Sequence, residues 1–140
     1  MASIQDIQAE IVEDFSLLPE WDERYAYLIE LGQKMEPLPE IHKTEDNIVR
    51  GCQSTVWLLR ECQDGRIILQ VDSDSLIVKG LAALLMKVFS DQPAEDVLKA
   101  DLVFFEKTGL DKHLSSQRAN GLMAMIEQIK VFAAGCAGDK

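Results

Sequence analysis

From about Ile48 the apolar residues of this chain stop recurring at helical spacing and begin to alternate. The alternation is interrupted once, by Asp64-Gly65 in the stretch QDGR. An Asp-Gly pair between two alternating runs is a strong hairpin signal, because the tight turn that suits two right-twisted strands needs positive φ at both central positions. The pattern predicts a strand with Val56, Leu58 and Arg60 on one face and Trp57, Leu59 and Glu61 on the other. The run IILQVD is the returning strand. A lone hairpin is marginal in water, so the rest of the chain must cover its apolar face.

The flanking sequence supplies helices for that purpose. Ile4, Ile7, Ile11, Val12 and Phe15 share one face at helical spacing, with Ser3 placed to cap and Asp6 behind it. Pro19 separates this helix from a second, whose apolar face is Trp21, Tyr25, Leu28, Ile29 and Met35. The stretch MEPLPEIHKTEDN, with two prolines and mixed charge, reads as a loop. After the hairpin, Asp72, Ser73 and Asp74 offer cap chemistry for a helix from about Leu76 to Phe89. That helix is apolar nearly all round, which implies burial against the sheet. Gly80 inside it implies close packing against another backbone. A short helix begun by Pro93, another around Phe104, and a long final helix follow. Leu122, Met125, Ile126, Ile129 and Phe132 form the apolar face of the last. The order predicts an α+β fold, a small antiparallel sheet packed with helices.

Length and composition fit one domain over residues 1–140, with a Gly/Ala-rich stretch over 134–140 expected as a flexible tail. The formal net charge is -10, which repels phosphate backbones and anionic lipid and argues against nucleic acid and membrane as partners. No secretory signal is read at the start, and LIVKGLAALLMKVF is too short and too charged to span a bilayer. The expected compartment is therefore cytoplasmic. There the three cysteines would be reduced thiols rather than a disulfide framework.

Cys52, in NIVRGCQSTVW, is the leading candidate for chemistry. Gly51 permits an unusual backbone dihedral just before it, which would hold the thiol in a turn leading into the strand. Arg50 could favour the thiolate. A small buried core residue is the competing reading, because free cysteine is often buried. Cys62 and Cys136 fit no zinc spacing and read as incidental, and no metal site is expected from His42 or His113. In HLSSQRANGL, Ser115 or Ser116 caps the final helix and puts Arg118 in its first turn, the unfavourable end of the dipole for a cation. No phosphate loop, catalytic triad or paired carboxylates can be recognised, which favours a carrier or docking protein over a self-sufficient catalyst.

Taken together, NIVRGCQSTVW, DSDSLIVKGL, HLSSQRANGLMAMI and, in the second helix, WDERYAYLIELGQKM resemble the SufE family of sulfur acceptors, over about Trp21 to Ile129. The resemblance implies a fold shared with IscU-like scaffold proteins and a role beside pyridoxal-phosphate (PLP) cysteine desulfurases in iron–sulfur cluster assembly. It makes Cys52 the residue that accepts persulfide sulfur and passes it on. The chain would hold no cofactor, since PLP belongs to the partner desulfurase, SufS-like or CsdA-like. A downstream iron–sulfur scaffold would receive the sulfur, and the protein would be a monomer or homodimer. Gly51, Gln53, Asp72, Asp74 and Arg118 match motif positions and carry over as docking surface or surroundings of the cysteine. Two alternatives stay open: a metal or cluster scaffold using Cys52, and a docking module whose cysteine is structural.

Overall fold

The computed structural model describes residues 2–52 and 54–138. At its centre, β1 (Val56–Gln63) and β2 (Arg66–Ser73) pair antiparallel, from Val56 opposite Ser73 to Gln63 opposite Arg66. Asp64 and Gly65 turn the chain at φ 53° and 78°, the positive pair that Asp-Gly accommodates. A two-residue strand, β3 (Gln92–Pro93), joins β2 opposite Arg66 and Ile67 and gives the order β1-β2-β3. The sequence reading misses this strand because two residues carry no period. Proline is tolerated there because β3 is an edge.

The alternation of the hairpin survives in its burial. Val56, Leu58, Ile67, Leu69 and Val71 all lie in the core. The helices that cover them are α1 (Ile4–Ser16), α2 (Trp21–Lys34), α3 (Leu76–Phe89), α4 (Ala94–Lys99), the single turns α5 (Phe104–Lys107) and α6 (Leu110–His113), and α7 (Ser116–Gly138). The expected α+β architecture is therefore the observed one. Among the described residues no helix is long and apolar enough to cross a membrane.

Local chemistry explains where these helices begin. Ser3 Oγ accepts the Asp6 amide at 3.1 Å and starts α1, as its spacing predicts. The cap of α3 is Ser75, whose side chain accepts the Val78 amide, and not a residue of the Asp72–Asp74 run. Those three are occupied elsewhere, as described below. In α1, Gln8 is buried among apolar neighbours and fully used: its side chain accepts the Val103 and Phe104 amides and donates to the Asp101 carbonyl. That ties α1 to α5.

Two features of the fold position the later chemistry. First, α2 and α3 cross backbone to backbone: a Cβ on Gly80 would lie 2.1 Å from the Leu28 carbonyl oxygen, and one on Gly32 2.9 Å from the Gly80 nitrogen. The close approach expected of Gly80 is thus present, with Gly32 as its counterpart. Second, α7 runs along the sheet with Leu122, Met125, Ile129, Ala133 and Cys136 buried. Ile126 and Phe132 are only partly buried, so its inner stripe is rotated slightly from the expected one. Residues 134–138, expected as a flexible tail, continue this helix, and Cys136 is 3% exposed. A buried half-cystine fixes the helix end, which composition alone could not reveal. Residues 139 and 140 lie outside the described residues.

The Cys52 loop as candidate functional site

The loop that carries Cys52 is pinched at its base. The Val49 amide donates to the Val56 carbonyl at 2.9 Å, and Ile48 bridges Trp57. The chain therefore leaves the sheet after Val49 and returns at Val56, with Gly51 and Cys52 in the excursion between. Gly51 makes the turn at φ 92°, a conformation that L side chains rarely adopt, as the sequence reading anticipates. A Cβ there would also meet Ala124 of α7 at 3.4 Å.

The exit of the loop is clasped from the other strand. Ser73 Oγ donates to the Thr55 carbonyl at 2.9 Å, the Asp74 amide donates to the same oxygen at 3.3 Å, and Asp74 Oδ1 accepts the Thr55 amide at 3.1 Å. Asp74, exposed at the surface, therefore positions the cysteine loop through its backbone. Gln53 lies outside the described residues.

Cys52 itself is a free, half-buried thiol. Its Sγ lies 3.6 Å from the Gly121 carbonyl, to which the thiol donates. It lies in a small cavity of about 70 Å³ lined by Ser75, Val78, Leu81, Arg118, Gly121 and Met125, among others. A water needs roughly 10–15 Å³ of such space, so the cavity holds more than one water-sized volume. Burial pushes the Cys52 pKa up. The expectation that Arg50 favours the thiolate is not met: Arg50 is exposed, and desolvation alone sets the direction. The resting site thus stores a protonated thiol.

Arg118 is exposed at the rim of this cavity, in the first turn of α7, with Ser115 Oγ accepting its amide at 3.2 Å. Exposure screens its unfavourable placement at the positive end of the helix. Arg118 is the cationic residue among those lining the cavity, and the fold brings it to Cys52 across 66 positions of sequence.

Asp72 plays another part. It is buried, does not line the cavity, and receives the Leu38 amide at 3.0 Å, the Ser73 amide at 2.8 Å, Lys79 at 3.3 Å and Lys43 at 3.5 Å. Burial alone would raise its pKa, but the Leu38 and Ser73 amides and Lys79 outweigh it and hold the carboxyl below the usual value. Because the folded-state value is depressed, its stabilisation is complete above the ordinary Asp pKa of about 4 and is lost as pH falls through the folded value. Asp72→Asn should cost roughly 2–3 kcal/mol at neutral pH. In urea melts the gap to wild type should close at acid pH. A gap that stayed constant down to the acid limb would show that the charge of Asp72 is not what holds the loop.

Gly121 is the residue of this site that sequence reasoning passes over. A Cβ there would lie 3.3 Å from Cys52 Sγ, so the helix must be bare where the thiol sits. Its signal is a glycine in the first turns of a long helix, opposite nothing that the sequence can name. Gly121→Ala should push Cys52 outward and speed its alkylation by iodoacetamide roughly three- to tenfold, equivalent to about 0.7–1.4 kcal/mol, the low end of overpacking costs. An unchanged rate would mean that the thiol does not rest against the helix in solution.

The other two cysteines are not incidental. Cys62 near the end of β1 and Cys136 in the last turns of α7 form a disulfide with Cα atoms 5.6 Å apart. This corrects the expectation of three reduced thiols; fold topology, invisible in the spacing, brings the two together. Among the described residues no three His, Cys, Asp or Glu side chains gather as a metal site.

Comparison with known proteins agrees with the motif reading. A family model described as "SufE: Fe-S metabolism associated domain" matches residues 9–133. An uncharacterised SufE-like protein of Rhizobium meliloti is 44% identical over 131 residues, which cover 90% of this chain and 94% of that one. Another, of Rhizobium etli, is 39% identical over 126 residues, 86% of this chain and 85% of its own. The solution structure of a hypothetical protein from Thermus thermophilus superposes with a TM-score of 0.78, covering 95% of this chain and 97% of its own at 23% identity. That last likeness concerns the fold alone.

Proposed function

This chain belongs to the SufE family, whose domain is associated with Fe–S metabolism, and from that premise we propose that Cys52 is its sulfur acceptor. In this reading the Cys52 thiolate attacks the terminal sulfur of a persulfide on a cysteine desulfurase. The sulfur–sulfur bond of that persulfide breaks, the partner's cysteine leaves as thiolate, and Cys52 holds the transferred sulfur as a persulfide. The carbon–sulfur cleavage that generates the sulfur stays with the partner and its pyridoxal phosphate. A second acceptor, in iron–sulfur cluster assembly, later takes the sulfur by the same exchange run onward.

The observation that carries the reading is the resting place of the thiol. Exchange requires a thiolate that can reach its target. Here the thiol is half-buried, donates to the Gly121 carbonyl and has its pKa raised by burial. A site of this kind is quiet in the free protein and becomes reactive once the loop leaves the cavity. The pinched base at Val49 and Val56 and the clasp on Thr55 let the residues between them move while the sheet stays intact. Docking of the desulfurase supplies the interactions that draw the loop out, and the spare room beside Sγ shelters the sulfur when the loop returns.

Intact-mass spectrometry with peptide mapping, after incubation with a cysteine desulfurase and L-cysteine, tests the proposal. The expected result is a reductant-sensitive gain of one sulfur atom on the Cys52 peptide, absent without the desulfurase. Failure to gain sulfur from several active desulfurases, with the protein folded, would leave Cys52 a structural residue.

A further inference from the structure

We propose that Cys62 and Cys136 form a second, separate sulfur site: a reversible thiol–disulfide pair that exchanges with low-molecular-weight thiols such as glutathione. The inference is independent of the sulfur-acceptor reading of Cys52. Its first support is asymmetry. Cys62 is exposed near the end of β1, an edge strand, whereas Cys136 is buried on the inner face of α7. An incoming thiolate therefore meets Cys62 before the buried Cys136.

The second support is that the same backbone serves both redox states. Cys136 Sγ lies 3.8 Å from the Arg66 carbonyl, and Cys62 Sγ lies 3.8 Å from the Cys136 carbonyl. In the disulfide these oxygens are neighbours only. In the dithiol the two sulfurs part by side-chain rotation with one of these carbonyls near each, so reduction can leave both S–H groups partnered without moving the backbone.

The exchange balances. A thiolate attacks Cys62 Sγ, the Cys62–Cys136 bond breaks, and Cys136 leaves with the electron pair and takes a proton beside the Arg66 carbonyl. A second thiol displaces Cys62 from the mixed disulfide. Two thiols have then become one external disulfide, and the protein disulfide has gained two electrons and two protons. A small-molecule disulfide such as oxidised glutathione drives the reverse.

Geometry keeps this pair apart from Cys52. Cys52 rests on Gly121 near the start of α7, and Cys136 sits near its end, roughly 22 Å along the axis at about 1.5 Å per residue. Sulfur cannot pass between the two without unfolding. What the pair controls is the end of α7: when oxidised it fastens that end to the hairpin, closing a loop with a sequence separation of 74. A cross-link of that span restricts the unfolded chain and raises the melting temperature by an amount on the order of 10 °C.

The test uses the Cys52→Ser full-length protein, equilibrated in a series of glutathione/glutathione-disulfide ratios under native conditions, alkylated, and read by intact mass and peptide mapping. Cys62 and Cys136 should change together in one two-electron transition. The oxidised form should melt on the order of 10 °C above the reduced form, and that gap should vanish in Cys62→Ser and in Cys136→Ser. With Cys136→Ser, a glutathione adduct should accumulate on Cys62; with Cys62→Ser, Cys136 should take none. Resistance to reduced glutathione until the protein unfolds would overturn the proposal in favour of a permanent structural bond. A pair that stayed dithiol in oxidised glutathione, or an adduct on Cys136, would overturn it as well. The titration of the Cys52→Ser protein decides even if either serine variant at the pair fails to fold.

Discussion

A Gly80→Ala variant should lose most of its stability. The new Cβ would stand 2.1 Å from the Leu28 carbonyl oxygen and 2.6 Å from its carbon, both backbone atoms. A side chain can rotate away from such a clash; a helix backbone cannot. To relieve it, α2 and α3 must separate, which disturbs a core in which Leu28 of α2 and Leu81, Leu84 and Leu85 of α3 are none of them more than 2% exposed. Alanine returns about 1 kcal/mol of helix propensity. Overpacking a core with a movable side chain costs about 1–3 kcal/mol, and here the obstacle is main chain, so a net loss of about 4 kcal/mol or more is expected. That is a large share of the roughly 5–15 kcal/mol typical of a native domain. Gly135→Ala in α7 is the matched control, since nothing lies within 4 Å of its Cβ position, and it should be neutral or stabilise by up to about 1 kcal/mol. Urea titrations followed by far-ultraviolet circular dichroism read both. A wild-type midpoint for Gly80→Ala would show that the helices can slide apart at no cost.

Replacing Cys52 by serine should abolish sulfur acceptance while sparing the fold. The serine hydroxyl is close in size, can donate to the Gly121 carbonyl as the thiol does, and relieves rather than adds contact with α7. A change in stability within roughly 1 kcal/mol is therefore expected. Chemically the substitution is drastic, because an alcohol is scarcely ionised at neutral pH and forms no persulfide. In the proposed reading the protein stimulates the desulfurase by clearing its persulfide, and with serine that stimulation should be lost, leaving the rate of the desulfurase alone. If the serine variant stimulated as well as wild type, the protein would act by docking and Cys52 would be structural. Melting curves recorded beside the activity separate this from a folding defect.

Most of the architecture is legible along the chain because its signals are local. Asp64-Gly65 sets the turn through its φ values, Ser3 starts α1 through one hydrogen bond, and the period of the apolar residues assigns each segment to helix or strand. The part of the site written in one short motif is legible too: Gly51 makes the turn and Cys52 stands in it. Residues whose role depends on what comes to meet them are misread. Asp72 and Asp74, two positions apart, look equivalent. One is buried and holds the Leu38 loop and Lys79, while the other is exposed and clasps Thr55. Asp72 is a buried residue of β2, just before Ser73 ends the strand, and Asp74 lies just beyond it, so only the packed partners give each its meaning. Arg50 and Arg118 are both exposed, yet the sequence neighbour of Cys52 does not line its cavity and the distant arginine does.

The amino-acid sequence by itself determined the α+β class, the hairpin and its turn, the closely packed Gly80, and a family motif with one cysteine at its centre. These follow from periods, dihedral preferences and short-range hydrogen bonds, which act over a few residues and leave their mark on the order of the chain. Only the tertiary structure decided what surrounds the sulfur atoms. Gly121 and Arg118 reach Cys52 because α7 lies along the sheet, and that same helix carries Cys136 to Cys62 at its far end. Whether a thiol is quiet, reactive or bonded depends on burial and on partners distant in sequence, and those exist only once the core has brought helix and strand together.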